Sequence, residues 1–272
     1  MGIVLGIDIG GTTTKIVGFS DGDLVGTLQV RAADQITSLY GALGNFLRKY
    51  AFSLDQILRI SLTGVGASFI TENIYDIPTT KTPEFRALGL GGTKLAGLTE
   101  ALVVSMGTGS AFVRVSNSGI THIGGSGVGG GTLIGLSSII MNENDIAAIS
   151  MISDNGDLSN IDLTVQEITG ETIPNLPPHT TAANFGKEKS MASHGDIGHG
   201  LINMILQTIG MLAVFACLDS PIKDVVLTGS LTTLPQIKKV FIELENLHGL
   251  RFIIPEQAIF AAAMGAAMSY EQ

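Results

Sequence analysis

The stretch "DIGGTTTK", Asp8 to Lys15, sets a carboxylate, two glycines, three threonines and a lysine within eight residues. Glycines let backbone N–H groups approach a phosphate with no Cβ in the way. Thr12 and Thr13 add hydroxyl donors, and Lys15 can place one positive charge on a terminal phosphate. A carboxylate beside phosphate is expected where Mg2+ bridges the two, directly or through water, which makes Asp8 a candidate metal ligand. A plain β-turn capped by Asp8 is the simpler reading of the same residues.

Two further glycine turns follow. "SMGTGSA", Ser105 to Ala111, offers Gly107, Thr108 and Gly109 as donors but carries no carboxylate. Facing the first turn, it would close a cradle around a polyphosphate; alone, it reads equally as a turn. "HIGGSGVGGG", His122 to Gly131, has Gly125, Gly127 and Gly130 at the GxGxxG spacing of dinucleotide-binding loops. That fingerprint requires a βαβ unit and an acidic residue about 20 positions on, for which Asp145 or Asp154 could be nominated. A β-meander precedes the loop instead, so it reads as a glycine turn feeding a helix N-terminus, an ordinary anion or nucleotide site. The GxxxxGK[ST] pattern is absent, and "FGKEKS" does not supply it.

Attack of a hydroxyl on a bound phosphate needs a base. Candidate carboxylates between the first two turns are Glu72, Asp76 and Glu84. Glu72 and Asp76, four apart, could share one solvated helical face. Glu84, after the proline of "KTPEFRALGLGG", reads by itself as a surface residue. His194, Asp196 and His199 in "ASHGDIGHG" invite a metal reading. Histidines five apart do not face each other on a helix, and the simpler reading is a polar loop capping the helix that follows.

The elements that must position these groups are legible from patterning. Ile3–Ile9, Lys15–Phe19 and Leu24–Val30 read as three strands joined by tight turns, Asp34–Tyr50 as an amphipathic helix, and Ile57–Gly64 as a fourth strand. Ala101–Met106 and Ala111–Ser116 begin a second meander with the same kind of glycine turn, so the order of elements repeats. Gly131–Met141 reads as an apolar helix and Asn142–Pro178 as mixed, with short helices. His199–Asp219 is the longest helical candidate, apolar nearly all round, either a buried spine or a dimer helix. Ile222–Ser230 reads as a strand ending in a glycine turn, "LPQIKKVFIELEN" as a helix, "LRFIIP" as a short strand and "EQAIFAAAMGAAMSY" as a small-residue helix. The boundary is expected near Gly91–Lys94, with a cleft between two related domains.

Composition narrows the partners. The 272 residues suffice for one or two domains with a sizeable core. Charged residues are 14%, below the usual share of about 25%, which favours an oligomer that covers part of the surface. With 15 Lys and Arg against 24 Asp and Glu, and no basic run, a nucleic-acid groove is excluded. The one cysteine, Cys217, lies in the apolar run "MLAVFACL" and reads as core, which leaves no thiolate cluster for zinc or iron–sulfur and points to cytosolic chemistry. No run approaches the roughly 18 continuous apolar residues of a membrane span, so no membrane partner and a cytoplasmic location are expected.

"GIDIGGTTTKIV", "LTGVGASFITENI", "SMGTGSA", "GGSGVGGGTLIGL", "TAANFG" and "VVLTGS" occur in an order that spans nearly the whole chain. Together they resemble the actin/Hsp70/sugar-kinase ATPase superfamily and, more closely, the bacterial type II pantothenate kinases. The resemblance implies an α/β fold: two duplicated actin/ribonuclease-H-like domains, each a mixed sheet with flanking helices, residues 1–93 and 94–272, with an ATP cleft between them. It implies ATP and Mg2+ as cofactors and phosphorylation of the pantothenate primary hydroxyl to 4'-phosphopantothenate, the first step towards coenzyme A, by a homodimer. The phosphates would lie on Asp8, Ile9, Gly10, Gly11, Thr12, Thr13, Thr14 and Lys15, near Thr108. Gly130, Gly131, Thr132, Leu133 and Ile134 would carry nucleotide as well, and Ile146 and Ser230 would border the adenosine. Glu84, in its Glu-Phe pair, maps onto the catalytic glutamate, with Asp8 organising Mg2+ and Lys15 offsetting transferring charge. The family usually has an arginine for the acceptor where this chain has His122, and a histidine does not offer arginine's permanently charged fork for a carboxylate. Alternatives on the same frame are a kinase for another hydroxyl compound, pantetheine or a sugar, and a non-catalytic ATP-binding sensor.

Overall fold

The computed structural model describes residues 2–32, 34–169, 173, 177–187 and 191–269. The chain opens with β1 (Ile3–Ile9), β2 (Thr13–Ser20) and β3 (Asp23–Arg31), then α1 (Gln35–Tyr50), β4 (Ile57–Thr63), β5 (Thr79–Lys81) and α2 (Glu84–Ala96). The second half repeats the opening with β6 (Ala101–Met106), β7 (Ser110–Ser116) and β8 (Gly119–Ser126), followed by α3 (Gly130–Met141) and α4 (Ile146–Ser153). A small β9 (Leu163–Thr164), α5 (Val165–Thr169) and β10 (Thr181–Ala183) come next. Then follow α6 (His194–Cys217), β11 (Asp224–Thr228), α7 (Ile237–His248), β12 (Arg251–Ile253) and α8 (Ala261–Met268).

Two five-stranded mixed sheets result, ordered β3-β2-β1-β4-β5 and, read from the matching edge, β8-β7-β6-β11-β12. Strand for strand the two topologies are the same: an antiparallel meander of three, then two parallel strands on the far side. This is the duplicated actin/ribonuclease-H-like architecture, with a cleft between the halves. The match extends to residues. "LTG" ends both β4 and β11, and Gly64 and Gly229 take φ of 85° and 90°, where a Cβ would be strained.

Strand alternation assigns the faces. Ile3, Leu5, Ile7 and Ile9 point to α1 and pack on Leu39, Leu43 and Phe46. The opposite face of the first sheet, with Val4 and Val17, is covered by α8 through Ala263, Met264 and Ala267. In the second sheet, Val103, Val113 and Val226 pack against Leu88 of α2, and the other face carries α6 and α7 in the largest core cluster. The inner helices are therefore exchanged: α2 precedes the second sheet and covers it, whereas α8 follows that sheet and returns to the first. They cross backbone to backbone. A Cβ at Gly91 would come within 1.8 Å of the Ala261 carbonyl oxygen, and one at Gly265 within 1.8 Å of the Ala87 oxygen.

Several expectations are corrected in detail. The long helix begins at His194, five residues earlier than the pattern suggested, because Ser193 and Asp196 form a capping box. His194 and Asp196 are thus inside the first turn rather than in a capping loop, and His199 Nδ1 bonds the Gly156 carbonyl at 2.8 Å. The helix is long and apolar enough to cross a membrane, yet most of it is buried among α3, α4, α7 and β6, so it is a core spine. Cys217 is buried in it, as its surroundings implied. The "TENIYD" segment is no helical face: Tyr75 and Asp76 have φ of 50° and 61° and turn the chain into β5, a strand too short for periodicity to reveal. The closing helix was expected to reach Tyr270, which lies outside the described residues.

Candidate active site between the sheets

Asp8 and Lys15 are cross-strand partners at the ends of β1 and β2, on the face that looks toward α8 and the second sheet. Both are buried, and Lys15 Nζ lies 3.6 Å from Asp8 Oδ2. The distance is longer than a hydrogen bond, so the pair is electrostatic rather than closed. Burial raises the Asp8 carboxyl above its ordinary value, with Lys15 pulling the other way. The turn between these strands is held by Gly10 N–H donating to the Thr13 carbonyl at 3.0 Å, while Gly11 and Thr12 are exposed at its tip. A Cβ at Gly11 would meet nothing within 4 Å, so the tip is open for a ligand. Ile9 and Thr14 pair across the same strands but face the α1 side, so their side chains lie behind the turn.

Glu84 opens α2. Thr82 N–H donates to the Leu62 carbonyl at 2.8 Å, tying the start of the helix to the end of β4, and Thr82 also shares hydroxyl contacts with Ser61 and Ser269. Glu84 is exposed, yet the protein around it still partly desolvates its carboxyl and raises its pKa; the Asp8 charge raises it further and Lys15 opposes both. That coupling places Glu84 in the electrostatic field of the Asp8–Lys15 pair. A raised carboxyl near two charges in a cleft suits a proton acceptor.

The second and third glycine turns form one unit. Gly130 N–H donates to the Gly107 carbonyl and Gly131 N–H to the Thr108 carbonyl, each at 2.8 Å. Thr132 Oγ1 donates to Gly127 and accepts from Gly129 N–H, and Leu133 is buried in the core. The first amides of α3 are therefore spent on bracing the second turn. Gly130 is buried and Gly131 half-buried against that turn, where a Cβ at either would meet Gly107 or Thr108, and the loop begins α3 at the positive end of its helix dipole. Thr108 is exposed at the turn, whereas Ile134 lies half-buried on α3.

Ile146 and Ser230 line one open groove of about 480 Å3 with Ala147, Met151, Leu234 and Gln29. Gln29 was missed by sequence reasoning. The register shows why it belongs: Asp8 pairs with Lys15, and Lys15 with Gln29, so the three side chains form one row across β1, β2 and β3. Only correct strand pairing, not motif spacing, reveals that row. Across the groove mouth, Arg31 donates to Asp145, the N-cap of α4, at 2.7 Å, linking the two halves. His122 lies against Phe85, the residue after Glu84: the rings stack at 3.7 Å between centroids and 3° between planes. Arg114, on β7, donates to the Ala216 carbonyl at 2.8 Å.

The residues fit magnesium in one way. Among the described residues no group of three or more His, Cys, Asp or Glu side chains could hold a metal unaided. A cation that keeps several waters and phosphate oxygens needs only one or two carboxylates, and the buried, incompletely paired Asp8 is suited to that.

The fold and this cleft define a protein of the actin/Hsp70/sugar-kinase class. The profile of the family described as Fumble matches residues 89–242, and the chain belongs to that family. Over 276 residues it is 28% identical to a type II pantothenate kinase of Staphylococcus haemolyticus, covering 96% of this chain and 98% of that protein. Among solved structures, it resembles the activator of the 2-hydroxyisocaproyl-CoA dehydratase from Clostridium difficile with bound ADPNP. The TM-score there is 0.68 at 16% identity, over 98% and 93% of the two chains. A ROK hexokinase from Thermus thermophilus gives a TM-score of 0.56 at 13% identity, over 98% of each. Membership of this superfamily and homology to type II pantothenate kinases support small-molecule kinase chemistry with ATP.

Proposed function

We propose that this protein phosphorylates the primary hydroxyl of pantothenate with ATP, giving 4'-phosphopantothenate and ADP, the first step towards coenzyme A. The observation that carries the reading is the placement of Glu84 in the field of the buried Asp8–Lys15 pair, with the groove of Ile146, Ser230 and Gln29 at the other end of the same row. The nucleoside occupies the groove, and the phosphates run over the turn at Gly11 and Thr12 towards Lys15. Glu84 takes the hydroxyl proton as the new O–P bond forms. The bond from the γ-phosphorus to the β-bridging oxygen breaks, and ADP leaves. Lys15 offsets charge on the transferring group, and Asp8 would hold Mg2+, which when bound neutralises the phosphate oxygens. In this reading residues 1–93 and 94–272 build two lobes that exchange their inner helices, the division falling within α2, in a cytoplasmic homodimer that needs neither nucleic acid nor a membrane.

A second reading, the same transfer to another small hydroxyl compound such as pantetheine, is favoured by His122. Its ring lies flat on Phe85, where the related enzymes are expected to offer a permanently charged arginine. An ADP-release screen over pantothenate, pantetheine, N-acetylhexosamines and a no-acceptor control separates the readings. Pantothenate-dependent release is expected; release only with another acceptor overturns the named substrate, and release with none overturns the kinase.

A further inference from the structure

The two "LTG" tripeptides end equivalent strands, yet their threonines behave differently. Thr228 is fully buried and its hydroxyl donates to the Val104 carbonyl on the neighbouring β6 at 3.2 Å. Thr63 is equally buried, at 1% exposure, and its Oγ1 has no hydrogen-bond partner. An orphaned buried hydroxyl costs free energy that the matching site in the same molecule avoids. Thr63 pairs with Asp8 in the parallel register, so its side chain shares the Asp8 face of the sheet and is buried beside that carboxylate. It flanks Asp8 on the side away from Lys15, beside the turn that launches Glu84. The other hydroxyls there are engaged: Ser61 with Thr82, and Thr82 with Ser269.

We infer that Thr63 is an acceptor-contacting residue whose hydroxyl donates to an oxygen of the alcohol substrate, beside the reacting hydroxyl, holding it in line between Glu84 and the phosphate. The row across the first sheet then orders the ligands: Gln29 at the nucleoside, Lys15 and Asp8 at the phosphates, and Thr63 at the acceptor. The inference rests on the kinase reading above and adds a residue that no motif spacing assigns.

The test is Thr63→Val, which keeps shape and removes the hydroxyl, beside Thr63→Ser, which keeps the hydroxyl. Kinetics use pantothenate, or pantetheine should the screen select it. Thr63→Val should raise the acceptor KM about tenfold, the size of one lost hydrogen bond, and leave the ATP KM within about twofold. Its ligand-free Tm should be unchanged or higher, because an orphan is removed; Thr63→Ser should keep the wild-type acceptor KM. Thr228→Val, which removes the hydrogen bond to the Val104 carbonyl, should lower Tm. A lowered Tm or failure to fold for Thr63→Val would show the hydroxyl to be spent inside the fold and would overturn the inference. So would an unchanged acceptor KM, or a change in the ATP KM instead. Acceptor-independent behaviour of the wild-type protein defeats the kinase reading itself, and is seen before any variant is made.

Discussion

The row Thr63, Asp8, Lys15, Gln29 on the first sheet corresponds by register to Thr228, Ser105, Ala111, Gly125 on the second. The backbone plan is shared; the side chains are not. One copy carries a buried ion pair and a free hydroxyl, and the other carries small residues whose turn is bonded to the third glycine loop. Duplication thus yields one wall that supplies charge and one that supplies shape. A glycine turn at the end of a strand is not in itself a catalytic feature; what stands opposite it in the next strand decides.

That contrast can be broken at several points. Glu84→Gln should have the largest effect, a loss of turnover of about 10²–10⁴-fold with nucleotide binding largely kept, measured by coupled ADP release and by calorimetry. Lys15→Met should lower kcat by about 10²–10³-fold, whereas Thr108→Val on the opposing turn should lower it by less than about tenfold; equal losses would erase the division between the walls. Gly129→Ala would bring a Cβ within 2.6 Å of the Thr108 carbonyl oxygen. It should cost about 1–3 kcal/mol in denaturant unfolding, by forcing the brace apart. The pH dependence is subtler. Glu84 must be ionised to act, so kcat should fall as pH drops through a value above the ordinary 4.5. A carboxyl raised by folding contributes stability below its unfolded pKa and loses it as pH rises through the folded one. Glu84→Gln should therefore have a Tm at neutral pH no lower than wild type. Smallest of all, Arg31→Gln should shift Tm only slightly, and less with added salt, because the Arg31–Asp145 pair is exposed.

Much of this was legible from residues alone. The opening meander, the "DIGGTTTK" turn and the duplication were readable because strand alternation and glycine turns are local signals. Ile146 and Ser230, 84 positions apart, came only from family resemblance, and the structure brings them to one groove. Spacing could not show that Gly130 and Gly131 donate to Gly107 and Thr108, since carbonyl partners in distant turns leave no trace in sequence. Nor could it show Gln29 or the idle hydroxyl of Thr63, because both depend on which strands pair. The start of α6 was misplaced because Gly195 and Gly198 hide a helix that a capping box nonetheless begins.

The exchange of inner helices bears on how the chain is made. The first sheet forms its strands from residues 3–81, but its inner face, at Val4 and Val17, is sealed by Ala263, Met264 and Ala267. During synthesis that apolar face must wait, uncovered, for nearly two hundred further residues, at a rate of about 5–20 per second. Loss of the α8 segment should therefore unsettle the half of the molecule made first.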